Sequence, residues 1–145
     1  MKTNGGFLVT KIKQLGDRIF ERILAEKNID AFNGAQGRIL YVLWQEDGVP
    51  IKIISEKSGL AITSLTTMLE RMEKNGLISR KTDEADKRKT LLFLTDKAKN
   101  LKEAYDSVSN EMGNIYYRDF TDKEILQFEE YLNRIRVNLE EWSDK

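Results

Sequence analysis

The sequence contains no cysteine and no histidine, and it has a single proline among its 145 residues. Without cysteine there can be no disulfide, no thiolate metal site and no cysteine-based redox sensor. The absence of histidine also removes Ser-His and Cys-His nucleophile pairs and most zinc and iron sites. The carboxylates are interspersed with lysines and arginines at helical spacing, which is typical of solvated helix faces. We therefore expect neither an enzyme nor a bound cofactor.

Two further features are missing: a long apolar run and an excess of one charge. No stretch reaches the roughly 18 apolar residues of a membrane-spanning helix, and we expect no secretion signal and no membrane contact. The 24 basic residues balance the 24 acidic ones, which by itself argues mildly against a nucleic-acid-binding protein. The distribution is uneven, however. Residues 78–89 hold five basic and three acidic side chains, whereas acidic residues predominate over residues 121–145. This segregation is expected when one end of a protein meets phosphates.

The chain is organised around residues 60–95. Four apolar side chains recur there at helical spacing and predict one stripe of a helix: Ile62, Leu65, Leu69 and Met72. We expect Thr63 or Ser64 to cap the start of this helix, and Gly76 to end it in a left-handed conformation. Two apolar runs, 77–82 and 90–95, flank the charged segment 83–89 and predict a hairpin. This order is that of a winged helix-turn-helix, whose helix suits a major groove and whose loop suits phosphates or a minor groove.

The remaining sequence predicts helices on either side of this unit. Helical patterns are expected over residues 7–27, 35–45 and 52–58, with a short edge strand at 49–51 and a cap at Asn33. Thr95 is expected to cap one long helix that runs to about residue 117. A capping box at Thr121 and Glu124 opens the last helix. The predicted fold class is mainly α (α+β). It is a single domain of residues 1–145, with a winged-helix lobe at about 33–95 and long terminal helices at about 7–27 and 96–142.

The terminal helices carry apolar stripes that a small winged helix does not need. Their members are Leu8, Ile12, Leu15, Ile125, Phe128, Leu132, Ile135 and Leu139. Folding back within one chain and pairing with a second copy would both bury these stripes, with similar gains per area. A two-fold dimer also places two recognition helices about 34 Å apart, which is one turn of DNA. We therefore expect a homodimer; the alternative is a monomer with a helical cap.

The residue pattern resembles the MarR family of bacterial and archaeal transcription regulators. The most specific part is the helix end and turn of residues 69–80, followed by Asp86-Lys87-Arg88-Lys89 and Leu94-Thr95; Gln36 also fits. The resemblance implies a homodimer on a pseudo-palindromic double-stranded DNA operator, usually acting as a repressor. It also implies release by a small, often aromatic or phenolic effector, and a place in the prokaryotic cytoplasm at the nucleoid.

This reading assigns DNA contacts to the helix and the loop. Base edges are expected to meet Ile62, Thr63, Thr66 and Thr67, and Ser64 to meet a phosphate. Arg71 lies on the same polar side of the helix. In the loop, Arg88 is expected to enter a minor groove with Asp86 bracing its guanidinium. Phosphate contacts are assigned to Arg80, Lys81, Lys87 and Lys89. The alternative is that these are ordinary solvent-facing residues.

An effector pocket is predicted where aromatic and cationic side chains of several helices converge. Its members are Arg18, Phe20, Tyr41, Trp44 and Tyr105. The alternative is that these aromatic residues belong to the core. For the whole protein, the alternative function is a winged helix that binds another protein instead of DNA, which the zero net charge permits.

Overall fold

A computed structural model describes residues 1–145, which form seven helices and three strands in two compact units, residues 1–110 and 111–145. The elements are α1 (Gly5–Glu26), α2 (Gly34–Gln45), β1 (Val49–Pro50), α3 (Ile51–Ser58), α4 (Ile62–Lys74), β2 (Ile78–Thr82), β3 (Thr90–Leu94), α5 (Asp96–Lys99), α6 (Lys102–Tyr116) and α7 (Asp122–Ser143). No helix is both long enough and apolar enough to span a membrane. The predicted mainly helical winged helix-turn-helix fold is confirmed.

The sheet belongs to the first unit and has the order β1-β3-β2, with both pairs antiparallel. In β1, Val49 lies opposite Leu92, which confirms the predicted edge strand. Pro50 has no N–H to donate to a neighbouring strand, and it is tolerated here because β1 is an edge strand with no further strand on its outer side. The hairpin of β2 and β3 pairs Ile78 with Leu94 at its base and Thr82 with Thr90 next to its loop. This hairpin, with residues 83–89 at its tip, is called the wing below.

The core of the first unit lies between α2, α3, α4 and the inner face of the sheet. Its largest fully buried side chains are Ile39, Leu40, Leu43, Ile54, Leu65, Leu69, Met72, Leu77, Leu92 and Val108. Ile62 shares the helical spacing of the apolar stripe in α4, yet 48% of its surface is exposed, as a residue expected to meet base edges must be. Its position in the first turn of α4 leaves it outside the core, so the buried stripe begins at Leu65.

The start of α4 differs from expectation. The N-cap residue is Ala61, in an extended conformation, and no side chain caps the helix. Thr63 and Ser64 lie inside the first turn instead, where their hydroxyls face solvent. The predicted end is confirmed, because Gly76 has φ +75°, a left-handed conformation that glycine adopts at little steric cost. The side-chain caps predicted at Asn33, Thr95 and Thr121 are all present.

The single helix predicted after the wing is broken into α5 and α6. At the break, the Leu101 N–H bonds the Ala98 carbonyl three residues back, which tightens the turn. The same carbonyl also accepts a hydrogen bond from the Trp44 indole N–H at 3.2 Å. The Ala98 carbonyl thus accepts two hydrogen bonds at the break, and α6 begins at Lys102.

The second unit holds the end of α6 and all of α7. Tyr117 lies at its centre: its hydroxyl donates to Glu129 at 2.7 Å, and its ring contacts Phe120 and Phe128. No residue of α7 is buried. Its predicted stripe is half-buried at Ile125 and Phe128 and exposed at Leu132, Ile135 and Leu139.

The first unit presents a similar open stripe. In α1, the apolar side chains of Leu8, Ile12 and Leu15 are 41–49% exposed, although Ile23 and Leu24 near the end of the same helix are buried. A single copy of the chain therefore leaves apolar faces uncovered on both α1 and α7.

Candidate nucleic-acid interface

The solvent face of α4 is rich in hydroxyl groups. Leu65, Leu69 and Met72 bury the opposite face completely, and this anchoring determines which residues point outward. Those in the first two turns are Ile62, Thr63, Ser64, Thr66 and Thr67, and all five are exposed. Threonine and serine are poor helix formers, so the run lowers the local stability of the helix. Its position on an exposed face at a helix N-terminus fits recognition of base edges and phosphates.

Thr66 has one structural feature that the sequence did not reveal. Its hydroxyl donates a hydrogen bond to the Ile62 carbonyl at 3.0 Å, one turn earlier in α4. The hydroxyl proton is therefore engaged within the helix, and only lone pairs remain for an outside partner. Thr66 thus offers solvent an acceptor oxygen and a methyl group.

Charged residues follow on the later turns of the same helix. Glu70, Arg71 and Lys74 are all exposed. The two cations lie in the last turn, where they also complement the negative end of the helix dipole. The predicted contact of Arg71 with DNA is thus geometrically open, and the electrostatics of the helix end explain its charge equally well.

Two aspartates order the tip of the wing. The Asp83 carboxylate accepts a hydrogen bond from the Ala85 N–H at 2.9 Å, and the Asp83 N–H donates to the Lys89 carbonyl at 3.0 Å. The Asp86 carboxylate accepts from the Arg88 N–H at 3.1 Å. These bonds from side chain to backbone are typical of aspartate in tight turns. They hold the backbone on both sides of the tip.

Arg88 projects from this ordered tip. Its Nε lies 3.1 Å from one carboxylate oxygen of Asp86, and its Nη2 lies 3.4 Å from the other. The Arg88 guanidinium, through this hydrogen bond, lowers the pKa of the Asp86 carboxyl from its ordinary value. The side chain of Arg88 is nevertheless 91% exposed. The predicted brace is therefore present, and the guanidinium is held in solvent instead of against the protein.

The other predicted wing cations differ in how they are held. The Arg80 Nε lies 3.3 Å from a Glu73 carboxylate oxygen at the end of α4. The Lys81 ammonium lies 5.3 Å from the centre of the Phe93 ring, within the range of a cation–π contact. Lys87 and Lys89 are exposed on the loop. All four could reach phosphates, and Arg80 alone would share its charge with a carboxylate.

A groove between α3 and the wing contains a cation that the sequence analysis did not select. Its polar lining consists of Lys52, Glu56, Arg80, Arg88, Lys89 and Thr90, and its apolar lining of Pro50, Ile51, Ile53 and Leu92. Four cations thus face one carboxylate. Lys52 lies in the first turn of α3, the first helix of the helix-turn-helix, and in such motifs that helix crosses the DNA backbone. The sequence signal for Lys52 was a basic residue in the first turn of the helix that crosses the DNA backbone.

The aromatic residues of the predicted effector pocket do converge. Tyr105 lies at the centre, with ring centroids at 5.3 Å from Trp44, 5.8 Å from Tyr41, 6.0 Å from Phe20 and 6.1 Å from Phe32. Burial raises the pKa of the Tyr105 phenol, and the neighbouring Tyr41 raises it further. A phenol kept neutral beside other rings can donate a hydrogen bond to a ligand.

An open cleft adjoins this cluster, and only part of the predicted set reaches it. The cleft is lined by Lys13, Asp17, Phe20, Glu21, Gly34, Ala35, Arg38, Leu60 and Tyr105. Tyr41 and Trp44 contact the Tyr105 ring without belonging to this lining, and Arg18 is exposed elsewhere on α1. Arg38 supplies the cation, with its Nη2 3.9 Å from Asp17. The sequence signal for it was its spacing four residues after Gly34 on α2.

With this geometry established, comparison with known proteins is informative. Residues 32–90 match the model of the MarR family. The chain is 36% identical over 77 residues to the HTH-type transcriptional regulator TtmR of Methylorubrum extorquens (strain PA1), which covers 53% of this chain and 40% of that protein. The chain thus spans about two fifths of the length of that curated relative.

Two solved structures share the fold over most of the chain. One concerns the regulation of DNA binding of Bordetella bronchiseptica BpsR by 6-hydroxynicotinic acid; its TM-score is 0.81 at 18% identity, with 90% of this chain and 91% of that chain covered. The other is a mutant MarR from E. coli complexed with operator DNA, with a TM-score of 0.80 at 22% identity and the same coverage of 90% and 91%. The family-model match covers the winged helix-turn-helix, and the two solved structures share the fold of the chain.

Proposed function

We propose that this protein is a sequence-specific, double-stranded DNA-binding transcriptional regulator, and that it acts as a homodimeric repressor on a pseudo-palindromic operator. The observation that carries the proposal is the exposed hydroxyl face of α4 beside a wing whose Arg88 is held outward by Asp86. The relatives named above are regulators, and two structural relatives are described with DNA or DNA binding, which agrees with this assignment rather than with an enzyme. Such a regulator works in the prokaryotic cytoplasm, at the nucleoid.

The homodimer is supported by the apolar side chains that one copy leaves open. Leu8, Ile12 and Leu15 on α1 and Leu132, Ile135 and Leu139 on α7 are exposed. Exposed apolar stripes of this kind are typical of an interface between protein chains. In a two-fold dimer these faces would be covered, and each copy would present one α4 and one wing to the same side of the duplex.

The test is a titration of duplex DNA from the region upstream of the protein's own gene, followed by fluorescence anisotropy at several salt concentrations. We expect tighter binding to this duplex than to a scrambled one, and an affinity that falls steeply as salt rises, because phosphate contacts release counterions. Equal affinity for both duplexes contradicts sequence specificity. Failure to bind either duplex at low salt favours the alternative, a winged helix that contacts another protein.

We propose in addition that a small aromatic or phenolic effector binds the cleft between α1 and α2. Phe20 and Tyr105 supply apolar and hydroxyl contacts there, and Arg38 supplies a cation for a carboxylate. Titration calorimetry with salicylate measures this directly. We expect Arg38→Gln to weaken salicylate binding. Arg18→Gln, which removes a cation of α1 that lies outside the cleft, should leave the salicylate affinity unchanged. Equal effects of the two changes contradict this placement.

A further inference from the structure

The exposed face of α4 lacks the side chains that usually read guanine. Arginine and lysine recognise guanine by bonding its two major-groove acceptors, and asparagine and glutamine recognise adenine in a similar two-bond way. None of these four residue types occurs between Ile62 and Glu70. The first cation of the helix is Arg71, which is nine residues beyond Ile62 and so about 13 Å further along the helix axis. The turns that enter the groove first therefore carry only hydroxyls and apolar groups.

Apolar contact is what remains, and the structure places it well. Ile62 is 48% exposed in the first turn, although three other apolar residues of α4 are fully buried. Thr66, one turn later on the same face, has its hydroxyl proton engaged with the Ile62 carbonyl. Its methyl group and its acceptor oxygen are the features that it offers outward. Ile62 and Thr66 thus form one small apolar patch with a single acceptor beside it.

This patch matches one base pair. Thymine is the base that presents a methyl group in the major groove, and its partner adenine presents an amino donor there. An acceptor-only oxygen pairs with an amino donor and cannot donate to guanine. Resting on the proposed function, we infer that α4 selects its half-site by the methyl groups of thymine, with Ile62 and Thr66 as the specificity-determining residues.

The experiment begins with the 145-residue chain and a pool of random duplexes. The enriched sequence is then made in two forms, one with thymine and one with uracil at the conserved half-site positions. Uracil pairs as thymine does and lacks only the methyl group. We expect each lost methyl to weaken binding about fourfold, the effect of exposing one buried methylene-sized group.

Variants assign the effect to residues. Ile62→Ala should bind the thymine duplex more weakly. It should also reduce the ratio of affinities for the thymine and uracil duplexes to less than about twofold. Thr66→Ser, which removes the methyl and keeps the hydroxyl, should also reduce this ratio of affinities. Thr66→Val, which keeps the methyl and removes the hydroxyl, should leave the ratio of affinities unchanged. Both positions are exposed, and thermal unfolding of each variant should match that of the parent protein.

The two levels of failure are distinguishable. If a sequence is enriched but its uracil form binds as tightly as its thymine form, the methyl inference is overturned and the proposed function stands. A guanine-containing half-site with no thymine would overturn it in the same way. If no sequence is enriched, both the inference and sequence-specific binding fail together.

Discussion

Arg88 at the tip of the wing provides the sharpest test of the candidate nucleic-acid interface. Its side chain is 91% exposed, and its one ion pair, with Asp86, lies on the surface. A surface pair of this kind contributes little to folding, so Arg88→Ala should leave the free energy of unfolding nearly unchanged. An arginine in a DNA groove, by contrast, contributes about 1–3 kcal/mol to binding. The substitution should therefore weaken operator binding about 5- to 150-fold per wing without loss of fold.

The brace makes the expectation more specific. Asp86 holds the Arg88 guanidinium by two hydrogen bonds, which lowers the conformational entropy that binding must remove. Ordering one long side chain costs about 0.5–1.5 kcal/mol. Arg88→Ala should consequently have a smaller effect, by about this amount, when it is made in an Asp86→Ala background. A double-mutant cycle measures that coupling.

The assay is fluorescence anisotropy of a labelled operator duplex over a range of salt concentrations. Arg88→Lys should keep the charge and lose part of the affinity, because lysine lacks the planar guanidinium. Lys87→Ala is the matched comparison: it removes an assigned phosphate contact from the same loop, so it should make the dependence of log affinity on log salt shallower by about one, without coupling to Asp86→Ala. If Arg88→Ala and the parent protein bind the operator equally well, Arg88 does not enter the groove.

Three further outcomes follow from the structure. Lys52→Ala should weaken binding to all duplexes alike and reduce the salt slope by about one, because its ammonium lines the groove beside the wing; a change in sequence preference would contradict a phosphate role. Ile135→Glu should convert the proposed homodimer into a folded monomer with poor operator affinity, since Ile135 is exposed in a single copy; light scattering that still shows a dimer would remove this face from the proposed interface. Burial and the hydrogen bond to Glu129 raise the pKa of Tyr117 to about 12, so the stability that its neutral phenol contributes is complete below its ordinary value of 10.0 and is lost as the pH rises through about 12. An alkaline ultraviolet titration of Tyr117→Phe should therefore lack the last phenolate to form, and an unchanged curve would contradict the assignment.

Local sequence signals were sufficient for most elements of this protein. Buried apolar residues at helical spacing, the left-handed Gly76, and hydroxyl or amide caps at Asn33, Thr95 and Thr121 depend on neighbours within a few residues. Such short-range preferences act before any distant contact forms. The winged helix-turn-helix and the order of its parts could therefore be predicted.

Tertiary contacts decided what those signals left open. The helix after the wing is broken beside the Ala98 carbonyl, which bonds the indole of Trp44 fifty-four residues earlier in the chain. Ile62 has the same spacing as its buried neighbours, yet it is exposed because the core ends before the first turn of α4. Arg38 and Lys52 join their clefts only when separate elements are packed together. Residue type and spacing determined which elements form and which faces are apolar. Only the packed chain determined which side chains share a surface, since that depends on contacts between residues far apart in sequence.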